Sequence, residues 1–173
     1  MTEPTAAAFD PVGIIRVLNQ HDVQFVVIGG IAAGVQGAMW ATVDIDIVYA
    51  RSRENHGRLA AALVDLQAAP VGLPSGVRVT VDARALAQGS TWTLMTGLGR
   101  LDLLSESGGL DYETLQGRSR TIHGQEPYRV ASVGDLIAMK RSAGRPKDAG
   151  HVELLERVAE ELDEHVVNGP HGG

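Results

Sequence analysis

Gln24-Phe25-Val26-Val27-Ile28-Gly29-Gly30, thirteen residues, and then Asp44-Ile45-Asp46-Ile47-Val48-Tyr49 decide how this chain folds. Gln24–Ile28 is apolar and β-branched, which predicts a buried strand. The paired glycines predict a tight turn, followed by a short helix over Ile31–Met39. Val43–Tyr49 predicts a second strand. Side chains alternate along a strand, so Asp44 and Asp46 share one face, with Cα atoms ~7 Å apart. Val43, Ile45 and Ile47 share the other face and are expected to anchor the strand in a core. Two carboxylates ~5 Å apart at an effective dielectric of ~20 repel by roughly 3 kcal/mol. Such a pair calls for a cation or a proton. Oxygen-only ligands at this spacing suit magnesium or manganese.

Outward from this stretch the elements alternate. Asp10-Pro11 is an N-cap with proline at the first helical position, and Ile14, Val17 and Leu18 continue a helical stripe. Ser52 caps a helix through about Gln67, with Leu59, Leu63 and Leu66 at helical spacing. Val77–Asp82 alternates with three valines on one face and predicts a strand. Thr91–Thr96 and Arg100–Leu104 flank Gly97-Leu98-Gly99 as a hairpin, and Thr121–His123 with Pro127–Val130 predicts another. Ser132–Arg141 and Asp148–His165 are the last helices. Met1–Phe9 and Asn168–Gly173 read as frayed ends. The order gives an α/β (α+β) class with a mixed β-sheet flanked by helices and a C-terminal helical part. One domain over 1–173 is expected, with a mixed core over about 10–130 and helices over about 132–165.

Composition excludes several classes. The chain has 173 residues, no cysteine and a formal net charge of −6. There is no disulfide framework or thiolate metal site. No apolar run is long enough to span a bilayer, and Met1–Asp10 lacks the charged and apolar regions of a signal peptide. A cytoplasmic protein without membrane contact is expected. Residues 118–147 carry seven Lys or Arg against Glu126 and Asp135, whereas 148–173 are acidic. The basic stretch reads either as an anion-binding face or as solvated arginines. Val26–Gly34 superficially suggests a dinucleotide-binding turn, but Ile31 stands where the second glycine of that fingerprint belongs.

The glycine pair and acid-x-acid pattern resembles the signature of the DNA polymerase β-like nucleotidyltransferase superfamily. With Thr42 near the acids, it is most similar to AbiEii-type toxins and other small bacterial members. The resemblance is close over about 24–50 and looser over 132–155. It implies a metal-dependent enzyme that moves a nucleoside monophosphate from a nucleoside triphosphate to an acceptor hydroxyl, releasing pyrophosphate. It also implies Mg2+ or Mn2+ held by Asp44, Asp46 and a third acid. Asp102, in Leu101-Asp102-Leu103, fits that third position, and Asp82 is its rival. Asp102 would help hold a second metal and activate the acceptor hydroxyl. Gly29, Gly30, Thr42, Lys140, Arg145, Lys147 and Asp148 are the expected nucleotide-site residues.

Lys140 occupies the fourth slot of the apolar stripe Val133, Leu136, Ile137, so its ammonium either snorkels or enters a cleft. The resemblance favours the cleft. Arg145-Pro146-Lys147-Asp148 resembles a family segment in which a second aspartate follows three residues later. Here that position is His151, and no catalytic role is transferred to it. Trp40 and Trp92 read as core or rim residues. By resemblance the chain could be a toxin acting on tRNA or other RNA ends, with a cognate antitoxin as partner. The alternatives are a small-molecule or protein acceptor, a non-catalytic nucleotide- or protein-binding member, or an interaction protein docking through its acidic C-terminal helix.

Overall fold

The computed structural model describes residues 8–167. Asp10 accepts a hydrogen bond from the Gly13 amide and starts helix α1 (Pro11–Gln20). Strand β1 (Phe25–Ile28) is buried throughout. Helix α2 (Gly29–Gln36) begins on the glycine pair itself and ends at Gly37 in the left-handed region. Strand β2 (Asp44–Tyr49) follows. Ser52 caps helix α3 (Arg53–Asp65). A two-residue strand β3 (Ala69–Pro70) and a short helix α4 (Ala83–Ala87) precede the hairpin of β4 (Trp92–Thr96) and β5 (Gly99–Leu104). A minor ribbon joins β6 (Glu106–Ser107) to β7 (Leu110–Asp111). Then come α5 (Tyr112–Arg118), β8 (Arg120–Ile122), β9 (Tyr128–Val130) and α6 (Val133–Ala143). A 3-10 turn, Pro146–Asp148, leads into α7 (Ala149–Val167).

The main sheet has seven strands in the order β3-β4-β5-β2-β1-β9-β8. It is mixed: β2 runs antiparallel to β1 and parallel to β5. Ile45, Ile47, Leu101 and Leu103 are fully buried on one face of the central pair. Each contributes about 1.5–3 kcal/mol by leaving water. That apolar anchorage fixes the register, because a slip of one residue would bring the acids into the core. Leu155 of α7 and Met139 of α6 join the same hydrophobic cluster, so the last helices pack beside the sheet rather than extending from it.

Four expectations need correction. Val43 is exposed rather than anchored, because β2 begins one residue later. Val77–Asp82 forms no strand: Val77 and Val79 are exposed, and alternation without a neighbouring strand has no ladder to join. The helix after β1 starts at Gly29 and stops at Gln36, earlier than Ile31–Met39. Phe9, expected to fray, packs against the core beside Gly99. The remaining residues of the expected frayed ends, apart from Ala8, lie outside the described residues. Helices α4 and α5 were not legible as elements, although Asp82 and Asp111 cap them through their carboxylates.

Candidate active site

The parallel pairing of β2 with β5 sets Asp46 opposite Asp102 and Asp44 opposite Arg100. All four side chains leave the sheet on the face away from Ile45 and Leu101. One oxygen of each of Asp44, Asp46 and Asp102 lies within 4.8 Å of the others. Three oxygen donors at this separation fit a hard divalent cation. Asp82 instead caps α4 through the Ala85 amide, and the strand that would have oriented it does not form.

Crowding has an electrostatic consequence. Asp46 is pushed up to about 7, first by burial and then by the charges of Asp44 and Asp102. Arg100 opposes this: its guanidinium lies 3.3 and 3.4 Å from the Asp102 oxygens and 3.7 Å from Asp44. Arg100 was not anticipated from the sequence. Its signal was present, because it shares the polar face of β5 with Asp102. Thr42 donates to the Asp44 carboxylate at 3.0 Å, which orients that acid.

The glycines are required by space. Gly29 has φ +67, and a Cβ there would collide with the Asp46 carboxylate. A Cβ on Gly30 would sit 2.8 Å from the Thr42 side chain and 3.2 Å from Trp40 Nε1. The turn therefore brings the uncapped N-terminus of α2 against the acids. Helix N-termini of this kind present free amides to anions.

The opposite wall of the cleft comes from α6, the 3-10 turn and α7. Lys140 Nζ donates to Asp148 Oδ1 at 3.1 Å, and Arg145 Nε donates to Asp148 Oδ2 at 2.8 Å. Asp148 is 4% exposed. Burial alone would raise its pKa, but the hydrogen bonds and charges of Lys140 and Arg145 hold it below the usual carboxylate range. Lys140 lies 5.1 Å from the centroid of Trp40, and His151 stacks on Trp40 at 4.1 Å with 9° between the planes. Both walls line one open cleft of about 660 Å³, which includes Gly29, Gly30, Asp44, Lys140, Lys147 and His151. Trp40, partly buried against the core, also lines this cleft, consistent with a rim position.

The basic stretch is largely paired within the fold. Arg118 bridges Asp135, Arg141 bridges Glu156, and Lys140 and Arg145 share Asp148. Arg120 and Arg129 donate to neutral groups instead. Among the described residues no helix is long and apolar enough to cross a membrane.

No family model and no curated protein sequence matches this chain. Among solved structures it is similar to the antibiotic-resistance factor ANT(2'')-Ia, at TM-score 0.55 and 17% identity over 86% of this chain and 80% of that one. A candidate nucleotidyltransferase from Thermotoga maritima aligns at TM-score 0.48 and 15% identity, over 94% and 99% of the two chains. At such identities the likeness concerns architecture. The chain has a nucleotidyltransferase-like fold, a mixed sheet flanked, among the described residues, by seven α-helices.

Proposed function

We propose that this protein is a nucleotidyltransferase, moving a nucleoside monophosphate from a nucleoside triphosphate to an acceptor hydroxyl. The observation that carries this reading is the gathering of Asp44, Asp46 and Asp102 at one end of a cleft whose other end holds Lys140, Arg145 and Lys147. A polyphosphate carrying a divalent cation needs such a pair of walls.

In this reading Asp44 and Asp46 would hold the ion that carries the nucleotide phosphates. Asp102 would help hold a second ion and activate the acceptor hydroxyl. A bound divalent cation would lower the pKa of the attacking hydroxyl and offset charge on the phosphates. The acceptor oxygen bonds to the α-phosphorus, the bond from that phosphorus to the α,β-bridging oxygen breaks, and pyrophosphate leaves. The hydroxyl proton passes to the carboxylate cluster or solvent. The Gly29–Gly30 turn lets backbone amides approach the phosphates, and Lys140 binds them once it leaves Asp148.

The finer reading is an RNA end, such as that of a tRNA, as acceptor, and a toxin role with a cognate antitoxin. It rests on the family resemblance and on Arg120, Arg129 and Lys147, whose charges no carboxylate within salt-bridge distance offsets among the described residues. The pairing of Arg118 and Arg141 reduces the basic excess that favoured RNA. A small molecule is the competing acceptor. The likeness to an antibiotic-resistance factor bears on architecture and does not select between the two.

The test is incubation with labelled nucleoside triphosphates, magnesium and either total RNA or a panel of hydroxylated small molecules. Transfer is expected with release of pyrophosphate, and with label in RNA that added salt weakens. Label on small molecules or protein alone would remove the RNA reading. Absence of pyrophosphate release with every acceptor and nucleotide would remove the enzymatic one.

A further inference from the structure

Trp40 is held by two residues far away in the chain. His151, in the first turn of α7, stacks on its ring at 4.1 Å. Lys140, on α6, places its ammonium 5.1 Å from the ring centroid. A charged group near an aromatic ring is favourable, so the lysine and the indole position each other. His151 Nδ1 is buried without a hydrogen-bond partner and stands 3.6 Å from Asp148. The imidazole is therefore located by the stack rather than by a hydrogen bond.

The edge of the indole is differently placed. Trp40 Nε1 lies 3.2 Å from the point where a Gly30 Cβ would stand. It makes no hydrogen bond to another described residue, and the Trp40 side chain is only partly buried and lines the cleft. An indole N–H is a donor only. The donor thus hangs over the turn whose amides face the same space, with Lys140 next to it.

We propose that the Trp40 indole N–H is a phosphate-binding donor, the side-chain third of a cradle completed by the Gly29–Gly30 amides and Lys140. The assignment rests on the nucleotidyltransferase reading of the cleft. His151 is a positioning residue: it wedges the ring so that its edge, not its face, meets the ligand. With one face under His151, the indole is poorly placed to stack on a nucleobase. The histidine standing where the family pattern has a second aspartate then has a physical role. An aromatic wedge stands where the family pattern carries a second carboxylate.

The probe is magnesium tripolyphosphate, which carries the phosphates without a base. The chain has two tryptophans. Trp92→Phe leaves Trp40 as the sole tryptophan, excited selectively on the red side of the tyrosine absorption, and Trp92 Nε1 is buried and unpaired, so its removal sacrifices no hydrogen bond. In Trp92→Phe, Trp40 emission is expected to change saturably with tripolyphosphate. Calorimetry should give Trp40→Phe, which keeps the ring and loses the N–H, roughly tenfold weaker binding. His151→Phe should keep near-normal affinity, whereas His151→Ala should weaken it. Magnesium stabilisation through the acid cluster should persist in Trp40→Phe and certify its fold. Equal tripolyphosphate affinity in Trp40→Phe and wild type, or unmoved Trp40 emission at saturation, overturns the proposal. So does emission that responds to nucleoside triphosphates and not to tripolyphosphate, which would assign the ring to the base. Failure of the wild type to bind either ligand would overturn the nucleotide reading itself.

Discussion

The two walls of the cleft hold charge by opposite means. The acid wall stands on adjacent strands, β2 and β5, whose register is fixed by four fully buried aliphatic side chains. Three carboxylates stay crowded together because the sheet cannot yield; Asp46 is driven toward its protonated form, and a partly exposed Arg100 offsets the remaining charge incompletely. The basic wall stands on α6, a 3-10 turn and α7, and its buried Asp148 closes the charge balance locally. One wall is strained until something positive arrives. The other is satisfied until something negative competes. A charged ligand with both signs, such as a metal–polyphosphate, relieves the first and displaces the second.

The comparison breaks most severely at the acids. Asp44→Asn with Asp46→Asn should abolish nucleotidyl transfer and any rise of Tm with millimolar magnesium or manganese. In the wild type, an ion at a hundred times its Kd stabilises the fold by about 2.7 kcal/mol. The double variant without metal should be as stable as the wild type or more so, since repulsion is removed. An unchanged metal response, followed by thermal melts, would remove the site.

A pH dependence sharpens the same wall. The Asp46 pKa lies at about 7 in the folded chain against 3.8 ordinarily. The folded state then binds the proton more tightly than the unfolded one. The associated stability is fully present below pH 4 and is lost as pH rises through 7. At about 1.4 kcal/mol per pH unit, the difference amounts to at most about 4 kcal/mol. Urea melts of metal-free protein from pH 4 to 8 should show this decline, and Asp46→Asn should flatten it. A decline of the same size in Asp46→Asn would assign it to other groups.

The basic wall should give a smaller effect of the other kind. Lys140→Met leaves Asp148 with Arg145 as its remaining close cation. Loss of one partner of a buried carboxylate costs about 1–3 kcal/mol. Adding Asp148→Asn should recover part of it. Nucleotide affinity should still fall by roughly tenfold or more in calorimetry. Unaltered affinity would mean that Lys140 serves Asp148 alone.

The smallest effect concerns Arg100. It occupies carboxylate oxygens that a cation would use, so Arg100→Met should tighten Mn2+ binding by roughly threefold to tenfold, as loss of a partly exposed counter-charge implies. Titration of Mn2+ by its paramagnetic signal reads this without any turnover. Weaker Mn2+ binding in the variant would mean that Arg100 orders the acids rather than competing for them.

Particular residues show how far the sequence could be read. Asp44 and Asp46 were legible because strand alternation needs no knowledge of neighbours. Lys140 was legible as a polar intruder in an apolar helical stripe. Asp102 was legible in direction but not in position, since nothing local says which strand lies beside β2. Arg100 escaped notice because an arginine two residues before an acid acquires meaning only once the pair lies across from Asp44 and Asp46. The Val77–Asp82 error has the same origin. Alternation is a local property, and a strand is a pairing.

The sequence by itself therefore determined the mixed class of elements, the shared face of Asp44 and Asp46, the glycine turn and the inward slot of Lys140. Each follows from periods of two or 3.6 residues and from the conformational range of glycine. Tertiary structure alone decided that Asp102 rather than Asp82 completes the cluster, that Asp148 neutralises Lys140, and that Trp40 meets His151. Those facts depend on which strands pair and how α7 packs, and such long-range contacts are chosen by the whole core at once.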